Sequence, residues 1–252
     1  MKRYPLFAAL AALLWLPAAA QWQAEFGVGH ENVRPGADWR QLDLALRRTL
    51  APRTRVELAA RRTTRFGRDD REFGLAGSLA LGSDWTANAA FTTSPTREVL
   101  PRWSLTAGAQ RALTGGWVLG GEARSTRYTD DRADALRLNV ERYFGGADVG
   151  AWRAALSLGA TRLQGAPTAG AGRIQLDRYL GERGRVGLLL ALGDEAERDE
   201  LGQLAVNDVR SVVLLGRWPL AERVALSGEW GHHRVGAVHR RSGGRLGVQL
   251  DF

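Results

Sequence analysis

The chain has 252 residues, 35 Lys and Arg against 27 Asp and Glu, a formal net charge of +8 and no cysteine. The missing cysteine excludes disulfides and thiolate-bound metal as sources of stability, so a sizeable core or a closed hydrogen-bonded barrel must supply it. The positive charge is almost all arginine, and nucleic acid is set aside as a partner because the chain carries an export signal, which leaves lipid phosphates, an anionic polymer or compositional bias to explain it.

That signal comes first in the chain. Lys2 and Arg3 precede an apolar stretch from Leu6 to Leu16, then Pro17 and the small residues Ala18, Ala19 and Ala20. This is the build of a secretory signal peptide over 1–20 that is cleaved near Ala20, and it leaves 21–252 as one domain with no Pro/Ser-rich linker. No later apolar run is long enough for a transmembrane helix.

From there period-two alternation runs to the end of the chain. Val56, Leu58 and Ala60 alternate with Arg55, Glu57, Ala59 and Arg61; Phe73, Leu75, Leu79 and Leu81 with Gly74, Ala76, Ser78 and Ala80. Leu136, Leu138 and Val140 alternate with Arg137, Asn139 and Glu141, Ile174 and Leu176 with Arg173, Gln175 and Asp177, and Leu246, Val248, Leu250 and Phe252 with Arg245, Gly247, Gln249 and Asp251. The spans 22–33, 38–50, 54–66, 71–82, 85–94, 101–113, 117–128, 133–144, 149–162, 171–180, 185–194, 206–218, 223–235 and 240–252 read as strands. Such lengths suit tilted membrane strands better than globular ones. The expected fold is an all-β antiparallel up-and-down transmembrane barrel of about fourteen strands, with twelve or sixteen left open and the segment 205–218 the least regular, because Val212 to Leu215 run together.

Connections at alternate ends are expected to differ. Tight turns fall at 51–53, 82–84, 114–116, 145–148, 181–184 and 219–222, and looser polar loops at 94–100, 163–170 and 193–204, as in barrels with short periplasmic turns. Trp85 and Trp117 follow tight turns, Trp218 precedes one, and Trp39 and Trp103 sit just inside loops, which reads as two interfacial girdles. Descending strands end Arg48-Thr49-Leu50, Arg111-Ala112-Leu113, Arg142-Tyr143-Phe144, Arg178-Tyr179-Leu180 and Arg217-Trp218, with the arginines expected to face outward beside the turns, where they snorkel to lipid phosphates.

The parity opposite the apolar one defines the candidate lumen: Arg55, Glu57, Arg61, Arg65, Glu122, Arg124, Arg137, Glu141, Arg153, Arg173, Asp177, Glu229, Arg245 and Asp251. Arginine in excess there implies either a salt-bridged filling or a water-filled path that favours anions. Four histidines invite a hydrolase reading. His232 and His233 are adjacent, so they point to opposite faces, while His30 and His233 could approach at the outer rim; no spacing fixes a triad or a metal site. Glycine pairs such as Gly115-Gly116 read as turns, so no cofactor is expected.

The closing Leu246, Val248, Leu250 and aromatic Phe252 resemble the signal by which outer-membrane barrels engage their assembly machinery. The whole mature chain resembles the YaiO family of outer-membrane barrels, through Val99-Leu100-Pro101-Arg102-Trp103-Ser104, Leu113-Thr114-Gly115-Gly116-Trp117 and Tyr128-Thr129-Asp130. That resemblance implies a barrel linked to polysaccharide export, with no catalytic motif to transfer. The expected function is a passive or export-associated conduit in the Gram-negative outer membrane for an anionic or polysaccharide substrate. A closed structural or receptor barrel is the second reading and a barrel hydrolase the third.

Overall fold

The computed structural model describes residues 21–146, 150–198 and 204–252. The expected signal peptide over 1–20 lies outside them. Fourteen strands follow one another: β1 (Gln21–Arg34), β2 (Trp39–Ala51), β3 (Thr54–Arg65), β4 (Arg68–Leu81), β5 (Trp85–Thr93), β6 (Trp103–Ala112), β7 (Trp117–Arg127), β8 (Arg132–Gly146), β9 (Gly150–Leu163), β10 (Thr168–Leu180), β11 (Gly184–Arg198), β12 (Leu204–Ala221), β13 (Val224–Val235) and β14 (His239–Asp251). Each pairs antiparallel with its chain neighbours, and β1 pairs with β14 to close the barrel. Closure leaves no sheet edge with an open row of main-chain donors and acceptors, which a lipid environment requires.

The alternation has the physical meaning the sequence suggests. Phe73, Leu75, Leu136, Leu138, Ile174 and Leu192 are large apolar side chains left exposed on the outer surface. In water such a belt would be an aggregation hazard, and in a bilayer it is the solvated face. The few fully buried side chains instead include the polar Asp70 and Asp177. Mid-strand small residues on the inner parity leave room for long arginines: the Arg245 guanidinium lies flat where a Cβ on Gly27 would stand.

Several expectations are corrected. The β3–β4 connection is the two-residue turn Phe66-Gly67, with φ of 54° and 75°, so β4 starts at Arg68 and the outer end has a tight hairpin as well as loops. The span 193–204 is not a loose loop throughout, because Asp194 pairs with Asp208 and Arg198 with Leu204 in an extension of β11 and β12. Strand β12 keeps its alternation from Val209 to Trp218, with Val212 and Leu214 exposed on the outside, and shifts register only between Pro219 and Ala221. Arg217 therefore faces inward, beside Trp218 on the outside. In the other Arg motifs the large apolar residue stands two positions on and shares the arginine's face; in Arg217-Trp218 it stands one position on and cannot.

Four outward arginines at the rim nearest the termini each sit directly across from a tryptophan: Trp22 and Arg48, Trp85 and Arg111, Trp117 and Arg142, Trp152 and Arg178. Guanidinium carbons lie 4.9 to 5.7 Å from the ring centroids. Such cation–π pairs let a cation sit against apolar surface at the interface. Trp39 departs from the expected girdle and is buried on the inner face.

Candidate functional site: the barrel lumen

The inner face is built by parity, and cross-strand neighbours there stand close enough to pair. On β1 to β4 and β14 the charges form one continuous chain. Arg61 reaches Asp43 at 2.9 Å and Glu72 at 3.4 Å. Arg245 spans from Asp43 at 2.7 Å to Glu25 at 2.9 Å. Arg47 joins Glu25 at 2.8 Å and bonds Glu57. Reading Glu72, Arg61, Asp43, Arg245, Glu25, Arg47, Glu57, the signs alternate, and the wall is neutralised with one carboxylate to spare.

A second group occupies β7 to β11. Arg153 is held by Glu141 at 2.8 Å and by fully buried Asp177 at 2.7 Å, with Arg185 3.9 Å from the same aspartate. Arg137 pairs with Glu122 at 2.8 Å. Beside them Arg124 donates to Ser104 Oγ at 3.1 Å and Arg173 to Ser157 Oγ at 3.4 Å. At the end nearest the termini, Asp251 accepts from Gln23 at 2.7 Å, bonds Arg183, and lies 3.9 Å from Arg217.

Near the outer rim, Trp39 is flanked by Arg65 at 4.6 Å and Arg241 at 4.7 Å from its ring centroid, and Glu31 lies 3.3 Å from Arg241. Arg65, Arg241, Glu31 and His233 border a cavity of about 360 Å³. Further down, Glu25, Asp43, Arg61, Glu229 and Arg245 line one of about 550 Å³. Between the two charged walls runs a strip in which uncharged polar side chains outnumber the charged ones. There Arg55, Ser78, Asn88, Gln110 and Asn139 line a cavity of about 290 Å³.

Of the predicted lumen residues, Glu57, Arg61, Glu122, Arg137, Glu141, Arg153, Asp177, Arg245 and Asp251 are drawn into ion pairs. Arg55, Arg65, Arg124 and Arg173 have no carboxylate within 4.0 Å among the described residues, and Glu229 has no cation. Sequence reasoning passed over Glu25, Glu31, Asp43, Glu72, Arg47, Arg185 and Arg241. The signal was present, since Asp43 alternates with Leu42 and Leu44, and Glu25 with Ala24 and Phe26. The expected arginine excess consequently shrinks to a few unpaired guanidiniums.

Every ion pair among the described residues joins strands or turns close together around the wall, none farther apart than Arg183, in the turn before β11, and Asp251 in β14. No described pair spans the bore.

His30 and His233 are not brought together. His30 lies on the outward parity, 3.5 Å from Asp38, whereas His233 lies inside, with Nδ1 2.9 Å from Ser211 Oγ and Nε2 3.8 Å from Glu31. Ser211 and His233 are direct partners within the β12–β13 ladder. There the main-chain N–H groups are committed to neighbouring strands and are not free to stabilise an oxyanion.

The fold is similar to those of solved outer-membrane barrels. The TodX deltaS2S3 mutant monoaromatic hydrocarbon channel aligns with a TM-score of 0.57 and 12% identity, over 98% of this chain and 94% of that one. Omp33 from Acinetobacter baumannii gives 0.54 and 12%, over 92% and 99%. An anion-selective porin from Comamonas acidovorans gives 0.52 and 10%, over 93% and 99%. No protein-family model and no curated protein matches the sequence. The chain has the outer-membrane β-barrel fold, and at these identities the likeness concerns the fold alone.

Proposed function

We infer that the barrel is a narrow conduit across the outer membrane that favours anions. The observation that carries this reading is the direction of the lumen ion pairs: they lie along the wall instead of bridging it. Side chains tied to their own wall line a bore, whereas a plug needs side chains that meet in the middle. Charges paired along the wall also cancel locally, save the one spare carboxylate of the chain from Glu72 to Glu57, so the potential of the bore falls mainly to the unpaired members. Those are mostly cations, Arg55, Arg65, Arg124 and Arg173, against Glu229. A water-filled path lined by unpaired guanidinium attracts anions and repels cations.

The export role implied by the resemblance to the YaiO family belongs to the same proposal. Asn88, Gln110, Asn139 and Ser78 offer neutral donors and acceptors beside Arg55. Such a lining suits a hydroxyl-rich, anionic chain better than an apolar solute. Purified protein in a planar bilayer tests the conduit. A salt gradient should give steady current with a zero-current potential on the anion side. An insulating barrel that is verifiably folded would replace this reading with the closed structural one.

A further inference from the structure

The outward arginines at the outer rim are arranged unlike those at the opposite rim. Near the termini each arginine faces a tryptophan. At the outer rim arginines face one another. Arg34 of β1 is the register partner of Arg240 in β14, Arg240 of Arg234 in β13, and Arg234 of Arg210 in β12. None of these registers is interrupted over the residues concerned, so all four side chains leave the same, outward face as Val28 and Leu246.

Like charges set directly opposite in a sheet repel and destabilise it unless an anion lies between them. Among the described residues, anions stand against the row only at its two ends. Asp38 lies 3.5 Å from Arg34, and Asp208 3.3 Å from Arg210. The central Arg234 and Arg240 have no carboxylate within 4.0 Å among the described residues; Arg234 donates only to the Gly236 carbonyl, at 3.1 Å. Two neighbouring guanidiniums with unused donors are what a phosphate group binds best.

Depth and company narrow the partner. Below the row stand Asn32, Ser242 and His232, the last two joined at 2.7 Å, and below them an exposed Trp230 beside the apolar belt. The arginines lie roughly 10 Å farther out than the Trp230 level, taking about 3.3 Å per residue on a tilted strand. Phosphate-binding cations above, hydroxyl, amide and imidazole groups in the middle, and an indole at the apolar boundary match in order a phosphorylated sugar carried on acyl chains.

We propose that the outer rim of β12, β13, β14 and β1 is a binding surface for a phosphorylated glycolipid of the outer leaflet, with Arg234 and Arg240 holding a phosphate. The stacked Trp–Arg pairs of the opposite rim suit the simpler headgroups of a phospholipid leaflet. This surface faces lipid, and its occupancy is independent of conduction through the bore.

Native mass spectrometry of the refolded barrel in non-ionic detergent tests it. The probes are diphosphorylated lipid A, the same lipid with its phosphates removed, and phosphatidylglycerol, offered at equal concentration. Wild type should retain the phosphorylated glycolipid at least about tenfold over either competitor, the margin expected from charge-assisted hydrogen bonds. R234Q/R240Q should lose that margin, while R111Q/R142Q at the other rim should keep it. Folding is checked by heat-modifiable gel mobility, and R240Q alone serves if the double variant does not refold. Equal retention of phosphorylated and dephosphorylated lipid by wild type would overturn the proposal. So would an unchanged preference in the arginine variant, or retention of phosphatidylglycerol equal to that of lipid A, which would mark a general anionic patch.

Discussion

The main chains of Trp22 and Phe252 exchange two hydrogen bonds, each of 2.9 Å, so the last residue of the chain is a working part of the seam that closes the barrel. Removing Phe252 strands the N–H and C=O of Trp22 at the membrane interface and strips an exposed ring from the lipid face. Each orphaned group costs about 1–3 kcal/mol. Deletion should therefore lower the heat-modifiable, folded fraction while leaving export across the inner membrane unchanged. Phe252→Leu, which keeps the main-chain bonds, should recover most of it; equal loss in both would assign the residue a recognition role alone.

Asp177 is a fully buried charge in the lumen wall, bonded to Arg153. Removing one partner of a buried pair costs about 3–5 kcal/mol, and because Arg153 keeps Glu141, D177A should fall near the lower end. Gly187 lies on the adjacent strand beneath the carboxylate, where a methyl group would meet Asp177 Oδ1 and stand 2.9 Å from Leu215 Cδ1. G187A should then destabilise urea unfolding by a similar amount, and D177A/G187A by much less than the sum.

Asp70 pins the loop 94–102. Its carboxylate accepts from the N–H groups of Glu98, Val99 and Leu100 at 2.9, 2.7 and 2.7 Å, while Ser94 Oγ accepts from Arg97, which has a φ of 43°. D70A should release this loop without opening the barrel. Trypsin should cut after Arg97 or Arg102 in the folded variant and spare the folded wild type. Equal resistance would mean that the loop holds itself.

Much of this architecture was legible because one rule governs it. Side chains alternate in and out, and in a barrel the apolar parity must face lipid, so counting alternations recovered the fourteen strands. Pairing was not legible, since Arg245 reaches Asp43 across the closed seam, two strands away in space but about two hundred residues away in sequence. The orientation of Trp39 was hidden for a related reason: its partners Arg65 and Arg241 come from different strands, and only closure brings them to either side of one ring. Parity was also lost locally at Arg217, where a motif shortened by one residue reversed the face.

The account turns on whether the unpaired lumen arginines set the charge of an open path. Arg55, Arg124 and Arg173 can be reversed together to glutamate while the ion-paired residues are left in place. Zero-current potentials would then be measured in a salt gradient for wild type, for this triple variant and for R142E/R178E on the outer surface. Wild type should favour anions, the lumen variant should shift to cation preference, and the outer-surface variant should match wild type. The difference should shrink near 1 M salt, where the screening length is about 3 Å. A lumen variant that conducts with the wild-type preference would contradict the account.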